Sequence, residues 1–260
     1  MRASQSPQHS KTPVSPRSSA FFQVVSAGCK AHKIEAVLFD LDGTLLDTAR
    51  DFFSVINELL SEHKKPLAEF SVFRKNMAGT KDMVEFAFGK EHPGFDQLHS
   101  ELEMRYLKNC TKHTCFFDEV ESLLDYLDEQ KIPWGIVTNK PTSTTQLVVQ
   151  HFRLHHRTTC IISGDTLPRK KPDPLPLQHA CQLLGVPCHE AVYIGDMQTD
   201  VEAAKRAGMK SIVFSHGYHP VHPKSWPASH AADHVAEYVT QVIEWLKCNR
   251  EESALMAPRN

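Results

Sequence analysis

The sequence predicts an α/β protein in which buried parallel strands alternate with helices, with an all-helical segment inserted after the first strand. Short apolar runs rich in Val and Ile occupy residues 34–39, 134–137, 160–162, 191–194 and 211–214. Such runs are typical of strands covered on both faces. Helical periodicity separates them, and residues 50–115 contain no comparable run. Alternating strands and helices form right-handed βαβ units, so we expect a Rossmann-like parallel sheet.

The predicted helices carry their apolar residues at helical spacing. Phe52, Ile56 and Leu59 mark the first helix, which Asp47 or Thr48 can cap. The inserted segment continues with helical stretches at about 70–77, 83–88 and 96–108. The helices between and after the later strands are predicted at 118–130, 143–152, 175–184, 199–207 and 235–246.

These elements divide the chain into four parts. The sheet domain is predicted to comprise residues 34–49 and 118–250, and the helical insertion residues 50–117. Residues 1–33 are rich in Ser, Pro, Gln and basic side chains, so they cannot bury enough apolar surface to fold and are expected to form a disordered extension. Residues 251–260 are expected to form a short tail.

The composition is that of an ordinary soluble globular protein, with 41% hydrophobic and 23% charged residues. A net charge of −2 gives no electrostatic reason to expect binding to nucleic acid or to an anionic membrane. No stretch of about 18 apolar residues predicts a transmembrane helix. The seven cysteines are irregularly spaced, which favours a reduced, cytoplasmic protein. The sequence does not report the oligomeric state.

Two carboxylates follow the first predicted strand. Asp40 and Asp42 are two residues apart, so in an extended chain they project to the same side. They do so at the carboxyl end of a parallel strand, where open α/β sheets bind ligands. Gly43 permits a sharp turn, and Thr44 adds a hydroxyl and a backbone N–H. Because two ionised carboxylates this close repel each other, we expect a divalent cation beside them.

The run Asp-Leu-Asp-Gly-Thr-Leu at residues 40–45 resembles the first motif of the haloacid dehalogenase (HAD) superfamily. In phosphatases of that family the first Asp is the nucleophile and the second is the general acid/base. The resemblance therefore implies a HAD-like core in which Asp40 forms an aspartyl-phosphate and Asp42 protonates the leaving group, then activates water. The dehalogenases of the family lack the second acid, so Asp42 indicates phosphoryl transfer.

The second motif of the family is a Ser or Thr after the second strand of the sheet, and Thr138 holds that position. The resemblance implies that the Thr138 hydroxyl and the Asn139 N–H bind phosphate oxygens, together with the backbone of Gly43 and Thr44. A helix N-cap is the alternative role for Thr138.

The third motif is a Lys before a helix, and the Pro spacing selects Lys171 over Lys170 and Arg169. Its ammonium is expected to neutralise charge at the nucleophile and the phosphoryl group. The fourth motif, Gly-Asp-x-x-x-Asp, is matched at residues 195–200, so Asp196 and Asp200 are the implied metal-side carboxylates.

The cofactor implied by these motifs is Mg²⁺. The expected ligands are the Asp40 carboxylate, the Asp42 main-chain carbonyl and Asp196. Asp200 either contacts the ion directly or acts through water, since Mg²⁺ usually keeps several waters and takes only one or two carboxylates.

The helical insertion lies where the family carries its cap domain in the phosphoglycolate phosphatase-like branch. A cap that closes over the site sets which small phosphorylated metabolite fits. Gly79, Thr80 and Lys81 form the most polar break in the insertion, so Thr80 and Lys81 are the candidate substrate-binding residues of a loop. An ordinary helix–helix turn is the alternative.

Further details resemble one branch in particular, the N-acetylmuramic acid 6-phosphate phosphatases of cell-wall recycling. The resemblance lies in residues 94–95, 105–108, 134–141 and 217–220, and in Trp226. We therefore expect N-acetylmuramic acid 6-phosphate as the substrate, with 2-phosphoglycolate as the alternative. Phosphoglycolate needs a tight cationic pocket, ideally with a bidentate Arg, whereas the bulkier muramic sugar needs a roomier cleft with one cation and several neutral donors.

The same motifs are compatible with other functions. A sugar-phosphate mutase keeps both Asp residues, and a non-catalytic protein that binds a phosphorylated ligand is the alternative of another class. The complete set of motif residues argues against that second reading. His216, His219 and His222 have a spacing that suits either a metal site or a wall of the site entrance.

Overall fold

The computed structural model describes residues 33–251, so the predicted extension and tail lie almost entirely outside it. The strands are β1 (Ala36–Phe39), β2 (Leu46–Asp47), β3 (Cys115–Phe116), β4 (Trp134–Val137), β5 (Ile161–Ile162), β6 (Ala191–Gly195), β7 (Lys210–Phe214) and β8 (His234–Ala236). The α-helices are α1 (Ala49–Glu62), α2 (Phe70–Arg74), α3 (Thr80–Phe88), α4 (Phe95–Asn109), α5 (Val120–Glu129), α6 (Thr142–His151), α7 (Leu175–Leu184), α8 (Gln198–Ala207) and α9 (Val239–Glu251). Within the described range, every helix is too short or too polar to cross a membrane.

Six strands form one parallel sheet in the order β5-β4-β1-β6-β7-β8. In the middle of it, Phe39 of β1 pairs with Ile136 of β4 on one side and with Ile194 of β6 on the other. The chain builds one half of the sheet from β1 through β4 to β5 and then crosses to β6. This order creates a switch point beside β1, where open α/β sheets bind ligands at the carboxyl ends of the strands.

The alternation of side chains along β1 explains why the sheet is covered on both faces. Ala36 and Leu38 belong to the buried cluster that includes residues of α7 and α8. Val37 and Phe39 belong to the cluster that includes residues of α5 and α9. All four side chains are fully buried, as a strand with apolar contacts on both sides requires. The predicted Rossmann-like sheet is therefore confirmed.

Helices α1–α4 form the predicted all-helical insertion. Two short antiparallel strands, β2 and β3, flank it, so the chain enters and leaves the insertion side by side. Inside it, the Phe53 and Phe70 rings pack edge to face with centroids 5.1 Å apart, a favoured aromatic geometry. The architecture is a parallel-sheet core with a helical cap, and the limits of the cap at residues 50 and 117 remain a prediction.

Two sequence predictions are wrong in detail. The last predicted helix, at 235–246, is preceded by strand β8, and the helix itself is Val239–Glu251. β8 forms because His234 and Val235 pair with Ile212 and Val213 of β7, a long-range contact that helical periodicity does not reveal.

The predicted substrate loop at residues 79–81 is not a loop. Gly79 is extended with φ of −175°, and α3 begins at Thr80. Thr80 and Lys81 therefore lie in the first turn of a helix. Gly79 is the N-cap residue of this helix, and the carboxylate of Asp82 in the first turn interacts favourably with the helix dipole. These local interactions start a helix at Thr80, although the polar composition of residues 79–81 suggested a loop.

Candidate active site

The sheet brings the predicted motif residues to one edge. Asp40 directly follows β1, Thr138 follows β4 and Asp196 follows β6. Because these three strands are parallel neighbours in register, their carboxyl ends lie together. The Asp40 N–H continues the pairing by donating to the carbonyl of Ile194 at 2.8 Å. The sheet thus holds the first, second and fourth motifs side by side.

Asp40, Asp196 and Asp200 form a buried acidic cluster in which one carboxylate oxygen from each lies within 4.8 Å of the others. Burial raises the pKa of Asp40 from 3.8 to about 6, with Lys171 opposing the rise and Asp200 and Asp42 adding to it. Burial and the neighbouring carboxylates of Asp200 and Asp40 likewise raise the pKa of Asp196 well above its usual range. The cluster therefore resists full ionisation unless cationic charge is nearby.

Lys171 supplies one such charge. Its side chain is 2% exposed, and Nζ lies 3.0 Å from Asp40 Oδ1 and 2.8 Å from Asp200 Oδ1. The ammonium also donates to the Tyr193 hydroxyl at 2.6 Å. Burial alone lowers the pKa of this lysine, but the carboxylates of Asp200 and Asp40 outweigh burial, so its pKa is raised. By contrast, Lys170 and Arg169 are exposed, as expected from the Pro spacing.

Asp200 has both carboxylate oxygens engaged by the protein. Oδ1 pairs with Lys171, while Oδ2 accepts from the N–H groups of Asp196 and Met197 at 3.1 and 2.9 Å. Asp200 is therefore placed to hold the loop that carries Asp196 and to orient Lys171. Of the two alternatives, action through water fits these contacts better than direct contact with an ion.

The residues present fit Mg²⁺. Asp196 Oδ2 accepts from the N–H of Tyr218 at 2.7 Å, whereas Asp196 Oδ1 is buried and has no hydrogen-bond partner within residues 33–251. A carboxylate oxygen in that condition, beside Asp40, is a hard oxygen donor of the kind Mg²⁺ takes. Gly43 is necessary for this packing, since a Cβ there would lie 2.3 Å from Asp196 Oδ2 and its φ is +81°.

We expect Mg²⁺ to stabilise the protein more at higher pH. The folded state holds a proton on Asp40 up to a pH of about 6, against 3.8 for the free side chain. Without metal, this group therefore makes stability fall as pH rises between those values. Mg²⁺ requires the ionised carboxylates and releases protons on binding. The difference between the melting temperatures with Mg²⁺ and with EDTA should grow as pH rises across this window. The substitution Asp40→Asn should make that difference smaller. An equal Mg²⁺ shift at every pH would contradict this expectation.

The residues predicted to bind phosphate lie in two loops, one after β1 and one after β4. Thr44 is fully buried, and its Oγ1 has no hydrogen-bond partner in the described chain. Thr138 Oγ1 accepts from the Lys140 N–H at 3.2 Å, so the Thr138 hydroxyl hydrogen can still be donated. The Asn139 side chain donates to the Lys171 carbonyl at 2.9 Å, which ties the second motif to the third. The phosphate-binding roles of these residues remain predictions.

Thr80 and Lys81 lie apart from these loops. Thr80 Oγ1 is within hydrogen-bond distance of His99 Nε2, at 2.8 Å, and of Glu103 Oε1, at 3.3 Å, both on α4. Lys81 is exposed. The Thr80 hydroxyl thus joins two cap helices, and substrate binding by this pair remains a prediction.

A cleft of about 580 Å³ is lined by residues that follow Asp196 in sequence and by residues of the cap. Asp40, Asp42 and Asp196 do not line it themselves, and neither do Thr80 and Lys81. Its lining reaches the acidic cluster through Met197, which follows Asp196 in sequence, and through Tyr218, whose N–H donates to Asp196. Cationic, neutral polar and aromatic side chains contribute to its walls, among them Lys75, Asn76, Gln198, Thr199, His219 and Trp226. Asp82 and Glu85 of α3 also line it.

The three histidines of the predicted loop have different surroundings. The His216 ring stacks between Phe117 and Phe214, with centroids 4.1 and 4.5 Å away, and burial lowers its pKa to about 4. His219 lines the cleft, which favours the entrance-wall interpretation for that residue. Within residues 33–251 the three do not form a group with metal-binding spacing.

Sequence reasoning missed three residues of this site. Tyr193 donates to the Val137 carbonyl at 2.7 Å while accepting from Lys171. Tyr218 accepts from the N–H groups of Thr48 and Ala49, at the start of α1, at 2.7 and 3.1 Å. Lys140 lies against Asp42. Lys140 and Tyr218 lie in the stretches 134–141 and 217–220 that carry the family resemblance, but the sequence predicted no role for either because their partners are distant along the chain.

Comparisons with known proteins agree with this geometry. The model of the family described as haloacid dehalogenase-like hydrolase matches residues 37–214. The chain is 34% identical over 204 residues to an N-acetylmuramic acid 6-phosphate phosphatase of Pseudomonas putida, covering 77% of this chain and 91% of that protein. It is 39% identical over 197 residues to a phosphoglycolate phosphatase of Xanthomonas campestris, covering 74% and 89%.

A solved structure shares the fold. A protein named as a predicted phosphoglycolate phosphatase from Haemophilus somnus 129pt superposes with a TM-score of 0.72 at 24% sequence identity, covering 84% of this chain and 99% of that one. The relatives named for the two substrates match this chain over similar spans. Overall similarity therefore does not choose between the substrates.

Proposed function

The chain belongs to the haloacid dehalogenase-like hydrolases and is a phosphatase that hydrolyses phosphoric monoesters of small molecules, and from this premise we propose its mechanism and substrate. We propose that it uses Mg²⁺, forms an aspartyl-phosphate on Asp40 and acts on N-acetylmuramic acid 6-phosphate. The observation that carries the proposal is the buried cluster of Asp40, Asp196 and Asp200 with Lys171 among them.

In the proposed reaction the Asp40 carboxylate attacks phosphorus, and the bond between phosphorus and the ester oxygen breaks. Asp42 gives a proton to the departing oxygen and then takes one from the water that hydrolyses the aspartyl-phosphate. Lys171, 3.0 Å from Asp40 Oδ1, offsets negative charge at the nucleophile. Mg²⁺ held by Asp40, Asp196 and the Asp42 main-chain carbonyl supplies further neutralisation of phosphate charge when it is bound.

The phosphate-binding part of the proposal rests on donors around Asp40. The hydroxyls of Thr44 and Thr138 are buried there, and neither has its hydrogen committed to a partner among the described side chains. With the N–H group of Asn139 they form the proposed phosphate cup. The Gly43 and Thr44 N–H groups, expected from the sequence to take part, donate instead to the carbonyls of Leu46 at 3.0 Å and Leu41 at 3.4 Å, because the chain turns tightly after β1. Donors fixed in a buried site stabilise developing charge without reorganisation, which is usually the largest single contribution to catalysis.

The cleft favours the muramic sugar over phosphoglycolate. A volume of about 580 Å³ is within the range of pockets that hold drug-sized ligands and far exceeds what a two-carbon acid fills. Among residues 33–251, Lys75 is the lysine of the lining and no arginine belongs to it, while Asn76, Gln198 and Thr199 are neutral polar groups. The carboxylates of Asp82 and Glu85 can accept hydrogen bonds from sugar hydroxyls, which phosphoglycolate lacks.

Parallel kcat/KM values on the two substrates test this assignment. Wild type should prefer N-acetylmuramic acid 6-phosphate. Lys75→Ala should lower kcat/KM for that substrate by about 10-fold to 100-fold, the loss of one charge-assisted hydrogen bond, and should leave p-nitrophenyl phosphate hydrolysis nearly unchanged. Lys81→Ala is the matched variant on the same cap, and a selective loss there would place the substrate cation on α3 as the sequence predicted.

A clear wild-type preference for 2-phosphoglycolate would overturn the substrate assignment and leave the proposed phosphatase mechanism intact. Turnover of neither substrate, with normal Mg²⁺-dependent hydrolysis of p-nitrophenyl phosphate, would also overturn it. A cytoplasmic location remains a prediction from the cysteine spacing.

A further inference from the structure

Lys140 is a buried lysine whose three ammonium donors are all matched. Its side chain is 2% exposed. Nζ lies 3.1 Å from each of the two Asp42 carboxylate oxygens and 2.7 Å from the Tyr106 hydroxyl. An ammonium has three N–H donors, so these acceptors satisfy the group completely. Such saturation is what a charge withdrawn from water requires.

The surroundings of Lys140 repeat those of Lys171. Lys171 lies among two carboxylate oxygens and the hydroxyl of Tyr193, and Lys140 lies among two carboxylate oxygens and the hydroxyl of Tyr106. Each of the two carboxylates of the first motif thus has its own buried lysine and tyrosine. The Lys171 set is formed entirely by the sheet domain, whereas the Lys140 set is not.

The partners of Lys140 other than Asp42 come from the cap. Tyr106 is on α4, and its ring centroid is 4.5 Å from Nζ. Phe52 on α1 stacks against Tyr106 at 3.5 Å and has its ring centroid 5.3 Å from the same nitrogen. Both distances are within the range of cation–π attraction. The ammonium therefore lies between a carboxylate of the core and two aromatic rings of the cap.

We propose that Lys140 is a positioning residue for the acid/base carboxylate Asp42, and that the cap rings of Tyr106 and Phe52 hold it in place. The proposal rests on the acid/base role of Asp42 given above. Asp42 is three residues beyond the end of β1, with a side chain 25% exposed, so it needs a fixed partner to keep one orientation. Lys140 touches both of its oxygens.

The contact is compatible with proton transfer. A carboxyl group has about four lone-pair sites on two oxygens. One oxygen can accept from the Lys140 ammonium while the other carries the transferred proton, so the plane of the group stays fixed in both halves of the reaction. Because both aromatic partners lie on cap helices, this orientation depends on the cap being in contact with the core.

The test compares two substrates that differ in how much they need a proton at the leaving oxygen. Phenyl phosphate releases a more basic oxygen than p-nitrophenyl phosphate, and both present the same ring. Lys140→Met should lower kcat/KM on phenyl phosphate on the order of 10²-fold, the lower end of what a positioned proton donor contributes. On p-nitrophenyl phosphate we expect a loss below about 10-fold, since that oxygen departs with little proton transfer.

Three further variants make the outcome unambiguous. Tyr106→Phe keeps the stacked ring and removes only the hydroxyl. It should also lower kcat/KM more on phenyl phosphate than on p-nitrophenyl phosphate, by a smaller factor than Lys140→Met, and it provides the test if Lys140→Met does not fold. Lys170→Met, on an exposed lysine, should show neither loss. Asp42→Asn in the same assay reports the acid role itself.

Equal losses on both substrates, or no loss, in Lys140→Met and Tyr106→Phe would overturn the proposal, because a purely structural contact lowers both alike. If Asp42→Asn loses more activity on phenyl phosphate than on p-nitrophenyl phosphate, but Lys140→Met and Tyr106→Phe do not, the positioning role is wrong and the acid role of Asp42 stands. An Asp42→Asn variant without bias would contradict the acid role on which the proposal rests.

Discussion

Replacing Asp40 by Asn should abolish turnover and leave the fold intact. The change removes the proposed nucleophile but keeps the size of a side chain that lies 3.0 Å from Lys171 and within 4.8 Å of two other carboxylates. Loss of a covalent nucleophile typically costs about 10⁴-fold to 10⁶-fold in kcat. The variant should not melt earlier than wild type in EDTA, because one of three crowded acids has been neutralised.

The control for this variant is Asp125→Asn, which changes an aspartate whose side chain is 63% exposed and should keep full activity. Steady-state kinetics with Mg²⁺ and a melting curve on each protein are sufficient. If Asp40→Asn retained a kcat near that of wild type, the covalent mechanism assigned here would be wrong.

Replacing Lys171 by Met should damage both stability and activity. Its ammonium is the buried cation shared by Asp40 and Asp200, and breaking a buried ion pair by removing one partner costs about 3–5 kcal/mol. Loss of its positive charge at the phosphoryl group should lower kcat by about 10²-fold or more. Denaturant unfolding and kinetics on the same preparation measure the two effects.

Lys170→Met is the matched control, since Lys170 is the preceding residue and is exposed. The stability loss in Lys171→Met should shrink as pH falls towards 4, because protonation of Asp40, with its pKa of about 6, relieves the repulsion that the lysine had offset. Similar losses in the two variants would show that the third motif has been assigned to the wrong residue.

Local patterns predicted the fold well where burial is simple. The apolar run that contains β1 is central in the sheet and is buried on both faces, so its sequence had to be apolar on both faces. Strand β8 was missed because it pairs along only one side, with β7. An edge strand of three residues has too short a pattern to be distinguished from the start of a helix.

Local sequence likewise predicted some residues of the site and not others. Asp40, Thr138, Lys171 and Asp196 could be predicted because each occupies a fixed place beside a strand or a proline. Lys140 and Tyr106 could not be predicted, since 34 residues separate them and their contact exists only when the cap meets the core. The cleft is likewise formed by α3, the segment after α2, the start of α8 and the loop after β7, so its residues are not adjacent in sequence.

The measurement that tests the central claim most directly is capture of the phosphoryl group on Asp40. Asp42→Asn should slow hydrolysis of the aspartyl-phosphate, so incubation with p-nitrophenyl phosphate and Mg²⁺, acid quenching and peptide mass analysis should find one phosphoryl group on the peptide that contains residue 40. The same experiment on Asp40→Asn should find none. A phosphoryl group on another residue, or rapid turnover by Asp42→Asn without any labelled peptide, would contradict the account.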